Sequence, residues 1–161
     1  MQLKRVDNTN LAEKKRRMVK IEQATIDDLA SLSELFEELC GEKTDLIRMK
    51  ENFSLMSKDP GYIILVAREN DEVAGTAMGI MCMDLVKECQ PFMVIENVVV
   101  KSKFRGIGVG MQLMQHMETM ARSRNCYYTM FVSAGHRKDA HKFYEAVGYE
   151  LGLVQGFKKY L

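Results

Sequence analysis

The stretch KFRGIGVGMQLMQHME, residues 103–118, places glycine at positions 106, 108 and 110 directly after Arg105. Alternate glycines let backbone N–H groups approach a ligand closely, and the Met/Leu spacing that follows is helical. The pattern therefore predicts an anion, most simply a phosphate, at a helix N-terminus. A dinucleotide fingerprint G-x-G-x-x-G fails here, because the third glycine is at 110 and not 111. A Walker loop fails too, since Gly110 is followed by Met111 and Gln112 and not by Lys and Ser or Thr.

Outward from this loop the chain reads as alternating elements. Residues 92–100, FMVIENVVV, are β-branched and nearly continuous in apolar character, as expected of a central strand covered on both faces. Two strand-like runs precede it, YIILVARE and EVAGTAMGIMCMDLV, joined at Asn70–Asp71 as a hairpin. Near the start, residues 19–23 alternate as a strand. Thr25 with Asp28 then forms a capping box for a helix through Leu29, Leu32, Leu35, Phe36 and Leu39, which Gly41 can end. A weaker helix is expected over 43–56, with a break at Pro60–Gly61.

Downstream, Met111, Leu113, Met114, Met117 and Met120 make an apolar helical face. A strand over 127–133 and a short helix closed by Gly148 follow, and residues 149–160 can supply one or two final strands. The result is a single-domain α/β (α+β) fold: a mixed, mostly antiparallel central sheet flanked by about four helices. Residues 18–161 are expected to form the domain and residues 1–17, polar with a basic cluster at 14–17, an extension.

Composition narrows the function. With 161 residues and 47% hydrophobic content the chain is long enough for its own core, and a net charge of +1 gives no case for a nucleic-acid partner. No apolar run is long enough to cross a membrane, and no apolar segment follows the basic N-terminus as a secretory signal requires. Cys40, Cys82, Cys89 and Cys126 lack metal-ligand spacing, so free thiols, no metal site and a cytoplasmic location are expected.

A further pattern, Arg-x-x-Gly-x-Gly, is present as Arg105, Gly108 and Gly110, and a second segment, A-x-x-F-Y-x-x-x-G-Y, as Ala140, Phe143, Tyr144, Gly148 and Tyr149. In these two motifs, in this order, the sequence resembles the GNAT superfamily of acetyl-CoA-dependent N-acetyltransferases. Arg137 stands where that family often has Asn, so no cofactor contact is carried over to it.

The resemblance implies acetyl-CoA as cosubstrate, with its pyrophosphate on the backbone of Arg105, Gly106, Ile107, Gly108, Val109, Gly110 and Met111. It implies a pantetheine arm along the main chain of Val98, Val99 and Val100, with Phe143 beside it. Tyr144 becomes the expected acid for the departing thiolate, where its residue type alone would suggest only packing beside Phe143 on an amphipathic helix.

Glu96, in mid-strand, either pairs with a buried group or faces the cleft as base or amine anchor. The expected reaction is acetyl transfer to a primary amine of a small molecule, by direct attack in a ternary complex. A non-catalytic acyl-CoA-binding regulator and a protein-amine acetyltransferase stand as alternatives. A homodimer through the edge offered by C-terminal strands is a further expectation.

Overall fold

The structure, a computed structural model, describes residues 19–161; the expected basic extension lies outside the described residues. Five strands run β1 (Lys20–Gln23), β2 (Tyr62–Glu69), β3 (Glu72–Cys82), β4 (Phe92–Val100) and β5 (Thr129–Met130). They lie side by side in chain order, every pair antiparallel except β4 with β5, which is parallel. Four helices, α1 (Leu29–Cys40), α2 (Leu46–Met56), α3 (Val109–Ser123) and α4 (Lys138–Ala146), accompany the sheet.

Local chemistry explains the ends of these elements. Asn70 and Asp71 both adopt positive φ, 50° and 63°, which is what a two-residue turn between twisted antiparallel strands requires. The Asp28 carboxylate accepts the Thr25 N–H at 2.8 Å, as the capping box predicts. Asp28 is also buried and receives the Arg68 guanidinium, which clamps the start of α1 to β2. Gly41 ends α1 at φ 81°, and the second helix begins at Leu46 because Asp45 caps it, accepting the N–H groups of Ile47 and Arg48.

The sheet is covered on both faces. Leu113, Met114 and Met117 of α3 pack on one face with Ile63, Leu65, Met93 and Ile95. Leu32 and Leu35 of α1 with Phe53 of α2 pack on the other, over Val66 and Val99. This is the expected mixed α/β architecture, and it explains why β4 reads as continuously apolar.

Three expectations fail in detail. Met111 is exposed, because α3 already begins at Val109 and position 111 falls on its outer side. The strand expected over 127–133 keeps only Thr129–Met130 in the ladder. No strand forms in residues 149–160: with β5 two residues long, the sheet edge offers no ladder to extend. A β-carbon on Gly156 would come within 3.4 Å of Val132, so the tail passes the segment after β5 in contact but without strand pairing. A dimer edge made of C-terminal strands therefore has no strands to stand on.

Candidate active site

Two features of β4 organise the site. Between Thr76↔Val99 and Met78↔Glu96, β3 advances two residues while β4 advances three, so β4 carries a bulge at this point. Asn97 absorbs the extra residue at φ 55°, in the left-handed region that Asn tolerates better than β-branched residues. Before the bulge Met93 and Ile95 face α3. After it Val98 and Val100 take over that face, while Val99 turns toward α1. The bulge thus inverts the side-chain phase of the strand and takes backbone groups out of the regular ladder.

The second feature is the divergence of β4 and β5. Only Met93↔Thr129 and Val94↔Met130 pair, whereas β4 continues to Val100. Beyond Val94 the β5-side edge of β4 has no strand beside it among the described residues. Ser133, on the chain that departs from that edge, has a shielded hydroxyl without a hydrogen-bond partner among the described residues.

The glycine loop closes the far end of this gap. Gly106 and Gly108 adopt φ of 78° and 92°, and Gly108 is the residue before the first turn of α3. The first N–H groups of any α-helix lack intrahelical partners, and here Val109, Gly110 and Met111 occupy those positions. Among the described residues, no atom beyond the adjacent residues comes within 4 Å of a β-carbon built on Gly106, so the loop is open on that side. The Val109 side chain is core, and that of Ile107 is partly exposed, so at both positions the backbone is what the loop contributes.

Arg105 does something the motif alone did not indicate. Its Nε donates to the Val100 carbonyl at 2.9 Å, and its Nη2 lies 3.5 Å from Glu38. Glu38 in turn accepts the Ser102 hydroxyl at 2.7 Å and the Ser102 N–H at 3.1 Å. The guanidinium and this carboxylate therefore tie the loop to the end of β4 and to α1.

From the other side, α4 brings Phe143 and Tyr144 against the gap. The Tyr144 ring lies 4.3 Å from Phe131 and 5.2 Å from Phe143, centroid to centroid. Burial pushes the Tyr144 phenol above the ordinary tyrosine range; Arg137 opposes this and the nearby Glu96 charge adds to it. The phenol therefore holds its proton at neutral pH. Glu96 itself is half-buried, and no hydrogen bond or ion pair engages its carboxylate among the described residues. Of the two expectations for Glu96, pairing with a buried group has no counterpart among the described residues.

Next to the bulge, on the face of α1 and α2, is a cavity of about 330 Å³ whose lining includes Met78 and Asn97. Sequence reasoning missed Asn97, although an Asn next to Glu96 inside a β-branched run was a signal for it. Among nearby carboxylates, Asp84 is occupied in a turn, accepting the Leu85 and Val86 N–H groups. Neither Glu37 nor Glu88 lines the cavity.

A bulged, half-unpaired central strand leading into a glycine turn and a helix N-terminus, with a half-buried phenol alongside, defines an acyl-group transferase. The match of residues 27–149 to the model of the acetyltransferase (GNAT) family makes this specific: the chain belongs to that family and is an acyltransferase enzyme. It is 29% identical over 130 residues to the aminoalkylphosphonate N-acetyltransferase of Salmonella typhimurium, covering 81% of this chain and 84% of that protein.

Among solved structures, an Agrobacterium tumefaciens C58 protein assigned as an acetyltransferase superposes with a TM-score of 0.82 at 30% identity, over 88% of this chain and 99% of its own. The glucosamine-6-phosphate N-acetyltransferase of Arabidopsis thaliana does so with a TM-score of 0.73 at 25% identity, over 89% and 99%. The family uses acetyl-CoA. Among the described residues no cluster of His, Cys, Asp or Glu is suited to hold a metal ion.

Proposed function

We propose that the protein transfers the acetyl group of acetyl-CoA to the primary amine of a small molecule, by direct attack while both are bound. The observation that carries this reading is the gap between β4 and β5, bounded by the bulge, the glycine turn and Tyr144. The fit to the cosubstrate rests on the open cradle at Gly106, the unpaired edge of β4 and the unmet Ser133 hydroxyl. Acetyl-CoA supplies an activated thioester carbonyl; the rest is the work of this chain.

The N–H groups of Gly106 to Met111, at the positive end of α3, bind a pyrophosphate without charged side chains. Arg105 holds that loop in register with Val100. The main chain of Val98, Val99 and Val100 pairs with an extended amide-bearing arm, while their side chains remain core. A bulge N–H between Glu96 and Val98 polarises the carbonyl oxygen as negative charge builds on it. Glu96 anchors the incoming amine and accepts its proton, directly or through water. Tyr144 donates its proton to the departing thiolate, and burial keeps that proton in place until then.

In this reading residues 18–161 are the catalytic domain, working in the cytoplasm. The Salmonella relative is named for a small amine acceptor, which supports a small molecule over a protein. The test is thiol release from acetyl-CoA with a panel of primary amines, run beside calorimetric titration with coenzyme A. Amine-dependent release is expected. Tight coenzyme A binding with only background release for every amine would instead favour a sensor.

A further inference from the structure

The reading above leaves the acceptor open, and the cavity beside the bulge constrains it. Its walls are Leu32 and Phe36 of α1, Met49 and Phe53 of α2, and Ile64 and Met78 of the sheet. Among the polar lining residues Thr76, Asp45 and Arg48 are engaged by the protein, which leaves Thr44, Asn52 and Asn97 as its neutral polar side chains. Thr76 donates its hydroxyl to the Leu65 carbonyl at 2.7 Å. The Asp45 carboxylate caps α2, and Arg48, the one cation in the lining, lies 3.6 Å from it and points largely into solvent.

A phosphonate or phosphate on the acceptor is best met by several cations at once, and this lining offers one, Arg48, already paired with Asp45. A sugar with many hydroxyls would leave most of them without partners against these walls. An apolar body, by contrast, loses only water on entry, and 330 Å³ is at the small end of ligand sites.

The cavity also reaches the immediate neighbours of Glu96. Met78 is the cross-strand partner of Glu96, and Asn97, the next residue, lines the cavity. An amine held near Glu96 therefore has its substituent directed between α1, α2 and the sheet. We infer that the acceptor is a primary amine on a compact apolar body, alkyl or aryl, seated in this cavity. The inference rests on the acetyl-transfer reading and narrows it to a substrate class.

The experiment is steady-state thiol release from acetyl-CoA with ethylamine, n-butylamine, n-hexylamine, 2-phenylethylamine, 2-aminoethylphosphonate and a blocked lysine peptide. Because each buried methylene contributes roughly a fourfold factor, kcat/KM is expected to rise on the order of 100-fold from ethylamine to n-hexylamine. The phosphonate and the peptide should fall well below 2-phenylethylamine. Met49→Trp, which fills the cavity from α2, should bring the hexylamine-to-ethylamine ratio toward one.

The wild-type series decides the matter even if that variant folds poorly. A flat or falling series, or preference for the phosphonate or the peptide, overturns the apolar acceptor while leaving acetyl transfer intact. If no amine is turned over although coenzyme A binds, the transfer reading fails and takes this inference with it.

Discussion

A β-carbon on Gly110 would stand 3.0 Å from Cζ of Phe143 and 3.5 Å from Val100 Cγ2. The first turn of α3, the end of β4 and the aromatic pair of α4 thus meet at one point, and the absence of a side chain at 110 sets how closely they approach. The two motifs recognised in the sequence are, in the folded chain, one packed unit.

Gly110→Val should therefore act on both halves of that unit. The added branch must displace the Phe143 ring and, through it, Tyr144, whose centroid is 5.2 Å away. Overpacking of this kind costs about 1–3 kcal/mol, which a denaturant titration would measure. Coenzyme A affinity and kcat are expected to fall together, and Gly110→Ala should show the smaller effect in both. Normal affinity and turnover in a folded Gly110→Val would mean that this contact does not position the site.

Tyr144→Phe removes one oxygen and keeps the ring against Phe131 and Phe143, so stability should change by no more than about 1 kcal/mol. Loss of a general acid should lower turnover roughly 10²- to 10⁴-fold, in kcat and kcat/KM alike, with coenzyme A affinity little altered. Since burial raises the phenol's pKa, wild-type activity should persist to a pH at or above the ordinary tyrosine value before any alkaline fall. Near-normal turnover by the variant would assign the proton to water or another group.

Glu96→Gln keeps the size of the side chain at the bulge and removes its charge. If Glu96 receives the amine proton, the variant should keep its coenzyme A affinity and lose most activity at low pH, where free amine is scarce. Pre-steady-state rates across pH are the direct readout. A variant with unchanged activity per folded molecule but lower melting temperature would make the carboxylate structural.

The two half-buried phenols, Tyr144 and Tyr149, also make a prediction about alkaline stability. Burial raises Tyr144 and Tyr149 above the ordinary value, in Tyr149 against the lowering effect of its 2.9 Å hydrogen bond with Thr129. Each therefore ionises later in the folded chain than in the unfolded one. Their contribution is complete below about pH 10 and is lost as pH rises through the raised value. Urea midpoints should decline above about pH 10, and the Tyr144→Phe/Tyr149→Phe double variant should flatten that decline.

Much of this molecule was legible from its residues. The hairpin at Asn70–Asp71, the capping box at Thr25 and Asp28, the stops at Gly41 and Gly148, and the glycine turn before α3 all depend on backbone preferences of a few neighbouring residues, and such preferences are written locally. The apolar spacing of α1 and α3 fixed which faces are core for the same reason. Tertiary structure alone decided the rest. β4 is apolar on both faces, so its pattern carried no phase, and the inversion at Asn97 emerged only from its register with β3. Residues 149–160 alternate well enough for strands, yet a strand needs a partner, and β5 leaves the ladder after Met130. The cavity beside the bulge lies between α1, α2 and the sheet, so its shape depends on how segments far apart in the chain pack.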